Sequence, residues 1–221
     1  MKHFGTKILQ TKRLVLRPFE EGDHEMMYKN WASDEQVTRY LLWHPHKDPE
    51  ETKKTIASWI KRYRKKNYYQ WGLLERSSGE LIGSVTLFAP GRGFILTRKY
   101  KSEIGYCLGR PWWGEGLAYE AVGAVLEFAF LEMEALKVYA RHDHRNPASG
   151  RLLMRLGMDH VKLVRKSEVG RDNKLIDIDY YELDRRAYLK QLPMGIFKCW
   201  QDQARPSKEK VVSAEGFLYN K

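Results

Sequence analysis

The stretch Trp113-Gly114-Glu115-Gly116-Leu117-Ala118 places two closely spaced glycines at the start of a predicted helix. A strand is predicted just before it, at 103–108, and the helical period of apolar residues follows it. Glycines let a phosphate approach the backbone, and the first amides of a helix lack hydrogen-bond partners and lie at the positive end of its dipole. The turn therefore predicts a phosphate or pyrophosphate site, although close packing of turn against strand would favour the same glycines.

Two other groups of residues could do chemistry but lack partners at the required spacing. His142 and His144 flank Asp143, yet no further ligand stands at a spacing typical of a metal site, and we predict no bound metal. Cys107 has no assignable His or Asn partner for nucleophilic catalysis and is interpreted as a core residue. His144 remains a candidate for the lining of a substrate site.

These residues must be positioned by a sheet with helices between its strands. Apolar runs predict strands at 14–17, 69–75, 81–88, 103–108, 136–140, 158–164 and 175–183. Asp48 followed by Pro49 predicts one helix start. Asn146 followed by Pro147 predicts another, with Gly157 just past the helix end. The order of elements predicts an α/β or α+β protein with a mixed sheet.

The size and composition of the chain suit one domain with a tail. Its 221 residues are 43% hydrophobic, which excludes a wholly disordered chain. We expect the domain to span residues 1–189. Residues 190–221 show little of the apolar periodicity that predicts helices and strands, and have a polar centre and scattered aromatic side chains. The formal net charge of +11 favours polyanionic partners such as RNA or phosphate-rich cofactors.

Cysteine content and apolar patterning bear on the compartment. Two cysteines, Cys107 and Cys199, are too few for the disulfide framework of a small secreted protein. The N-terminus lacks the apolar core of a signal peptide, and the most apolar stretch, at 121–131, is short and contains Glu127. We therefore expect a cytoplasmic protein with no membrane partner.

Several motifs resemble, in order, the landmarks of one enzyme family. They are the opening at 11–18, the strand start at 103–106, the glycine turn at 113–118, the helix start at 119–121 and the segment at 146–158. Over about residues 11–185 the chain resembles the GCN5-related N-acetyltransferases, in the RimJ/RimL-like branch that acetylates the N-termini of ribosomal proteins. The tail is not covered, and Trp113 stands where the general family motif begins with Arg or Gln.

The resemblance implies a mixed sheet whose fourth and fifth strands splay apart to admit the pantetheine arm of acetyl-CoA, the co-substrate. The backbone groups around Tyr106 and Leu108 are expected to pair with the pantetheine amides. The turn from Trp113 to Ala118 is expected to hold the pyrophosphate. Asn146 is a predicted helix cap that can also contact the cofactor.

Two residues are candidates for catalysis, since acetyl transfer to an amine needs a proton acceptor and stabilisation of the leaving thiolate. Glu103, at the start of the splayed strand, is the candidate base acting through water, the alternative being an exposed strand-end glutamate. Ser149 lies one turn into the helix capped by Asn146, where this branch has a serine near the thioester sulfur. Its hydroxyl would protonate or hydrogen-bond the thiolate, unless it is only a small residue tolerated near a helix start. The tyrosine that many relatives have four residues later is Leu153 here.

These features predict an acetyl-CoA-dependent N-acetyltransferase that acts on a primary amine. An α-amine, with a reference pKa of about 7.7–8.0, becomes neutral more readily than a lysine at about 10.4, so a protein or peptide N-terminus is the favoured acceptor. A small-molecule amine, either an antibiotic or a metabolite, is the nearer alternative. A non-catalytic RNA-binding or ribosome-binding protein is the alternative of another class, because basic and tyrosine residues interleave over 61–69. Ribosome association and a homodimer stay open.

Overall fold

The computed structural model describes residues 1–88 and 101–192. Its strands are β1 Leu9–Gln10, β2 Leu14–Arg17, β3 Tyr68–Glu75, β4 Leu81–Phe88, β5 Lys101–Leu108, β6 Lys137–Asp143, β7 Asp159–Val169 and β8 Leu175–Asp184. Its helices are α1 His24–Met27, α2 Glu35–Thr38, α3 Pro49–Arg62, α4 Leu117–Glu127, α5 Pro147–Arg155 and α6 Arg185–Gln191. In these described residues, none of the helices has the length and apolar character needed to cross a bilayer.

The strands form one eight-stranded mixed sheet in the order β1-β2-β3-β4-β5-β6-β8-β7. Neighbouring strands from β1 to β5 are antiparallel, as are β6 with β8 and β8 with β7. β5 and β6 are parallel, and α4 connects them, since parallel neighbours need a crossover. The parallel pair therefore lies in the middle of the sheet, with α4 leading from one strand to the other.

Helices cover one face of the first half of the sheet. A 3-10 turn, Glu21–Asp23, precedes α1, and a π-helical turn, Tyr28–Ala32, continues it. These segments and α3 bury a cluster of apolar side chains that includes Met27, Trp31 and Ile56. Asp48 caps α3 by accepting a hydrogen bond from the Glu51 amide, as predicted.

The larger core lies on the other face, under α4 and α5. Buried side chains of α4, such as Ala121 and Val125, pack in one cluster with Trp71, Ile104 and Val138 of the sheet. A π-helical turn, Phe128–Glu132, extends α4 towards β6. This core fixes α4, and with it the turn that precedes α4, against β5.

The predicted mixed sheet is confirmed, and most strand positions agree with the structure. β6 and β7 are longer than expected, because β6 continues its pairing with β8 to Asp143 and β7 follows β8 to Val169. β1, α2 and α6 are short elements that carried no clear pattern in the sequence. The expected boundary after residue 189 falls inside α6, and residues 193–221 lie outside the described residues.

Candidate active site

A gap opens between the central strands β5 and β6. Their parallel pairing ends at Ile104 and Ala140. β5 then continues to Leu108 paired only with β4, and β6 continues to Asp143 paired only with β8. The inner edges therefore carry backbone groups without a strand partner among the described residues. These two strands are the fourth and fifth when the two-residue β1 is not counted, so the expected splay is present.

Backbone alternation decides which residues of β5 face this gap. The amide of Gly109, the residue after β5, donates to the carbonyl of Ile82 on β4 at 2.8 Å. The Gly109 N–H therefore points towards β4 and away from the gap. Successive residues of a strand direct their N–H and C=O groups to opposite edges, so the backbone groups of Leu108 and Tyr106 face the gap. The Leu108 carbonyl also accepts a hydrogen bond from Nε1 of Trp113 at 2.7 Å. The indole thus ties the following turn to the end of β5.

The turn after β5 presents open backbone at the N-terminus of α4. Gly114 and Gly116 have φ angles of 82° and 75°, in the left-handed region that favours glycine. A Cβ atom on Gly114 would meet nothing within 4 Å, and one on Gly116 would meet the guanidinium of Arg13 at 3.6 Å. Gly116 is the N-cap of α4 and supplies no capping side chain, which leaves the amides of Leu117 and Ala118 available to an anion.

Glu120 anchors this turn to β2. Its carboxylate accepts hydrogen bonds from the amide and Nε of Arg13, at 2.8 and 2.7 Å, and from the hydroxyl of Thr11. Arg13 also donates from Nη1 to the carbonyl of Glu115 at 2.8 Å. Burial alone would raise the pKa of Glu120, but the hydrogen bonds from Thr11 and Arg13 outweigh burial and lower it. The ionised carboxylate therefore holds the turn in place.

Ser149 lies in the first turn of α5, which follows β6. Asn146 caps this helix as predicted, because its side-chain oxygen accepts a hydrogen bond from the Ser149 amide at 3.3 Å. The Ser149 hydroxyl lies 2.7 Å from the hydroxyl of Tyr106 on β5. Burial raises the pKa of the Tyr106 phenol, which therefore keeps its proton at neutral pH. A hydrogen bond between side chains thus spans from β5 to α5 at the gap.

Gly150 lets α5 pack closely on the sheet beside Ser149. A Cβ atom on Gly150 would lie 2.9 Å from the Tyr181 hydroxyl and 3.0 Å from Nε2 of His142. A larger residue would push the start of α5 away from β6 and β8. The position of Ser149 relative to Tyr106 therefore depends on this glycine.

Glu103 lies on the opposite face of the sheet from Ser149. Glu103 and Tyr106 are three positions apart on β5, and side chains at an odd spacing along a strand point to different faces. Nε of Arg141 donates to Oε1 of Glu103 at 2.8 Å, and Arg141 also forms an ion pair with Glu168 on β7. The Glu103 side chain is 40% exposed, and its Oε2 accepts no hydrogen bond from the described part of the chain. The structure does not bring Glu103 and Ser149 together.

Histidines converge on Asp179 of β8. His144 Nδ1 and His160 Nε2 each lie 2.7 Å from its carboxylate. Burial alone would raise the pKa of Asp179, but these two imidazoles outweigh burial and lower it. His142 instead lies 2.7 Å, through Nδ1, from the carbonyl of Asp143. Within residues 1–88 and 101–192, no group of three or more His, Cys, Asp or Glu side chains could hold a metal ion.

Cys107 has the surroundings of a core residue. Its thiol lies 3.4 Å from the hydroxyl of Ser84, and burial raises the pKa of the thiol. A thiol with a raised pKa is a poor nucleophile at neutral pH. Cys199 lies outside the described residues.

Sequence reasoning missed the side-chain contacts that organise the site. Tyr106 was considered for its backbone alone, and Arg13 and Glu120 stood only as parts of separate motifs. Arg13 and Glu120 are 107 positions apart, and Glu103 and Arg141 are 38 apart. No local pattern pairs residues at such separations. The only signal in the sequence for a contact between Arg13 and Glu120 is that both belong to motifs of the same family, at 11–18 and 119–121.

Comparison with known proteins agrees with this geometry. Residues 13–159 match the family model described as Acetyltransferase (GNAT) domain. An uncharacterized N-acetyltransferase of Bacillus licheniformis, p20, is 29% identical over 180 residues, 81% of this chain and 97% of that protein. A ribosomal protein uS5-alanine N-acetyltransferase of Escherichia coli is 26% identical over 76% of this chain and 84% of its own length. A GNAT-family acetyltransferase from Bacillus anthracis has the same fold, with a TM-score of 0.69 at 22% identity, covering 81% of this chain and 99% of that one.

Proposed function

Because the chain belongs to the acetyltransferase (GNAT) family and is thereby an N-acetyltransferase, we propose that it transfers the acetyl group of acetyl-CoA to the α-amine of a protein or peptide. The observation that carries the proposal is the gap between β5 and β6, which leads to the glycine turn before α4. Residues 1–189 are proposed to form the catalytic domain, with 190–221 as a tail.

The residues around the gap fit a CoA thioester, whose bound form supplies an activated acetyl group. Backbone groups of Tyr106 and Leu108 face the gap and would pair with the pantetheine amides, with the Leu108 carbonyl shared with Trp113. The turn from Trp113 to Ala118, which includes Gly114, Glu115, Gly116 and Leu117, would hold the pyrophosphate. The Nη2 group of Arg13, beside Gly116, would add an N–H donor there. Asn146 and Ser149 would contact the cofactor from the start of α5.

Glu103 is proposed to accept, through water, the proton that the acceptor amine must lose. No hydrogen bond from the described residues reaches its Oε2, while Arg141 holds the other carboxylate oxygen. An α-amine with a reference pKa of about 7.7–8.0 needs only modest help from such a base at neutral pH. The arrangement therefore suits an α-amine better than a lysine side chain. Ser149 is proposed to lie near the thioester sulfur.

A protein acceptor fits the charge of the chain. The formal net charge of +11 opposes the approach of polycationic amines and favours an acceptor bound to RNA, such as a ribosomal protein. The relative from Escherichia coli is described as acting on ribosomal protein uS5. Association with the ribosome and a cytoplasmic location are proposed on these grounds. A homodimer is not needed to complete the site described above.

A panel of acceptors tests the proposal. Purified protein is given acetyl-CoA with N-terminal peptides, a lysine-containing peptide blocked at its N-terminus, polyamines and aminoglycosides, and turnover is read as free-thiol release. We expect the highest kcat/KM for an N-terminal peptide or protein. If polyamines or aminoglycosides are acetylated with far higher kcat/KM than every N-terminal peptide, the acceptor is a small-molecule amine. Binding of CoA with no turnover of any acceptor would support the non-catalytic RNA-binding alternative.

A further inference from the structure

We propose that the Tyr106 hydroxyl is a positioning group that donates to Ser149 and so directs the hydroxyl hydrogen of Ser149 towards the leaving thiolate. The inference rests on the proposed function, because it takes a CoA thioester to lie in the gap between β5 and β6. It assigns a role to a side chain whose backbone alone was expected to take part.

The geometry joins the two hydroxyls across the gap. The Tyr106 hydroxyl lies 2.7 Å from the Ser149 hydroxyl and 3.4 Å from the Ser149 carbonyl, and the shorter contact is the hydrogen bond. Among the described residues, the Ser149 hydroxyl has no other hydrogen-bond partner. A serine hydroxyl can donate one hydrogen bond and accept two, so it can still bond to a further group beside Tyr106.

The acidity of the two groups sets the direction of this hydrogen bond. A phenol is a stronger acid than an aliphatic alcohol and so a stronger donor. Burial raises the pKa of Tyr106, so that the donor proton is present across the neutral range. Tyr106 therefore donates and Ser149 accepts. The hydroxyl hydrogen of Ser149 is then free for a third group, and an anionic sulfur is a suitable acceptor.

The same acidities argue against proton transfer to the thiolate. An alkyl thiol has a pKa of about 8.5 and an unperturbed tyrosine about 10, so transfer from the phenol is disfavoured by at least roughly 30-fold. Burial raises the pKa of Tyr106 and makes the transfer less favourable still. The pair therefore stabilises the thiolate by hydrogen bonding, and both hydroxyl protons stay on their oxygens.

Two other titratable side chains lie near the Tyr106–Ser149 pair, one on β8 and one on β6. Tyr181 on β8 lies close enough to influence Tyr106, and its hydroxyl is 3.4 Å from Nε2 of His142 on β6. Neither side chain forms a hydrogen bond with the Ser149 hydroxyl. Tyr181→Phe is therefore a matched control for Tyr106→Phe, since it removes one phenol oxygen from the same region without touching Ser149.

Binding of CoA and of desulfo-CoA, which lacks the thiol, separates these roles without turnover. Both are titrated calorimetrically at pH 6.5 and pH 9.0 with the wild type and with Tyr106→Phe, Ser149→Ala and Tyr181→Phe. At the higher pH the CoA thiol is largely ionised, and a hydrogen bond to a thiolate is stronger than one to a neutral thiol. We therefore expect the ratio of the wild-type affinities for CoA and desulfo-CoA to be about tenfold higher at pH 9.0 than at pH 6.5. Ser149→Ala and Tyr106→Phe should lose most of this gain, and Tyr181→Phe should keep it.

Desulfo-CoA also reports on folding and on the proposed function. A folded variant binds it with wild-type affinity, so a lost preference for CoA cannot come from a damaged site. If Tyr106→Phe keeps the full pH-dependent gain, or if the wild type shows none, the positioning role is wrong while the cofactor site stands. If the wild type binds neither CoA nor desulfo-CoA, the proposed function itself fails. In kinetics, Tyr106→Phe should lower kcat with little change in KM for acetyl-CoA, and Tyr106→Phe/Ser149→Ala should be no slower than Ser149→Ala.

Discussion

At the scale of single residues, Glu103 can be tested by removing its charge. Glu103→Gln should lower kcat with little change in affinity for acetyl-CoA, and the loss should shrink as pH rises through about 8, because the acceptor α-amine then deprotonates without help. The measurement is kcat from pH 6 to 9.5. Glu168→Gln is the matched control, because it removes the other carboxylate that pairs with Arg141. A loss of equal size at every pH would instead make Glu103 a positioning residue.

Gly116 is the residue on which the pyrophosphate site most directly depends. Gly116→Asp should weaken CoA binding by at least about tenfold, or about 1.4 kcal/mol, since a carboxylate would strain a left-handed position and repel the phosphates. Gly79→Asp is the control. It has a nearly equal φ of 72°, and a Cβ atom there would meet nothing within 4 Å, but it lies in the turn between β3 and β4. Wild-type CoA affinity in a folded Gly116→Asp protein would remove the turn from the cofactor site.

At the scale of elements, Glu120 joins α4 to β2. Glu120→Gln should lower the free energy of unfolding at pH 7 by about 1–2 kcal/mol, because a carboxylate that is 10% exposed loses charged hydrogen bonds to Thr11 and Arg13. The folded-state pKa of Glu120 is lowered, so its stabilisation is complete above the ordinary value of 4.5 and is lost as pH falls through the folded-state pKa.

Urea unfolding of wild type and Glu120→Gln at pH 7 and at pH 3.5 measures this difference. We expect the difference in stability to be smaller at the lower pH, because below about 4.5 the Glu120 carboxyl of the unfolded chain takes up a proton more readily than that of the folded protein. A stability difference of the same size at both pH values would mean that the charge of Glu120 contributes nothing to the free energy of unfolding.

The elements also show how far sequence patterns reach. α5 was predicted from local signals, namely the Asn146 cap, Pro147 at the first position and Gly157 just after the helix, and the structure confirms them. The extension of β6 to Asp143 was not predicted, because its cause is pairing with a strand more than thirty residues later, as in the register of Asp143 with Ile178. The hydrogen bond between Tyr106 and Ser149 spans 43 positions and has no local pattern either.

At the scale of the whole molecule, positive charge is expected to govern the encounter with a protein acceptor. Basic side chains at the end of α3 and in the turn after it are exposed, namely Lys61, Arg62, Arg64, Lys65 and Lys66. Raising salt should reduce kcat/KM for an RNA-bound protein acceptor more than for a short peptide with neutral side chains, because only the former depends on phosphate contacts. Equal salt slopes for the two acceptors would show that the net charge plays no part in acceptor choice.

Beyond Ile104, one edge of β5 is bonded to β4 and the other faces the gap. Amide protons along this half of the strand should therefore exchange with deuterium at alternating speeds, slowly at Gly105 and Cys107 and rapidly at Tyr106 and Leu108. A molecule that enters the gap as an added strand would slow only the second pair. Binding in the gap would then be detected as slower hydrogen exchange at every other amide of β5.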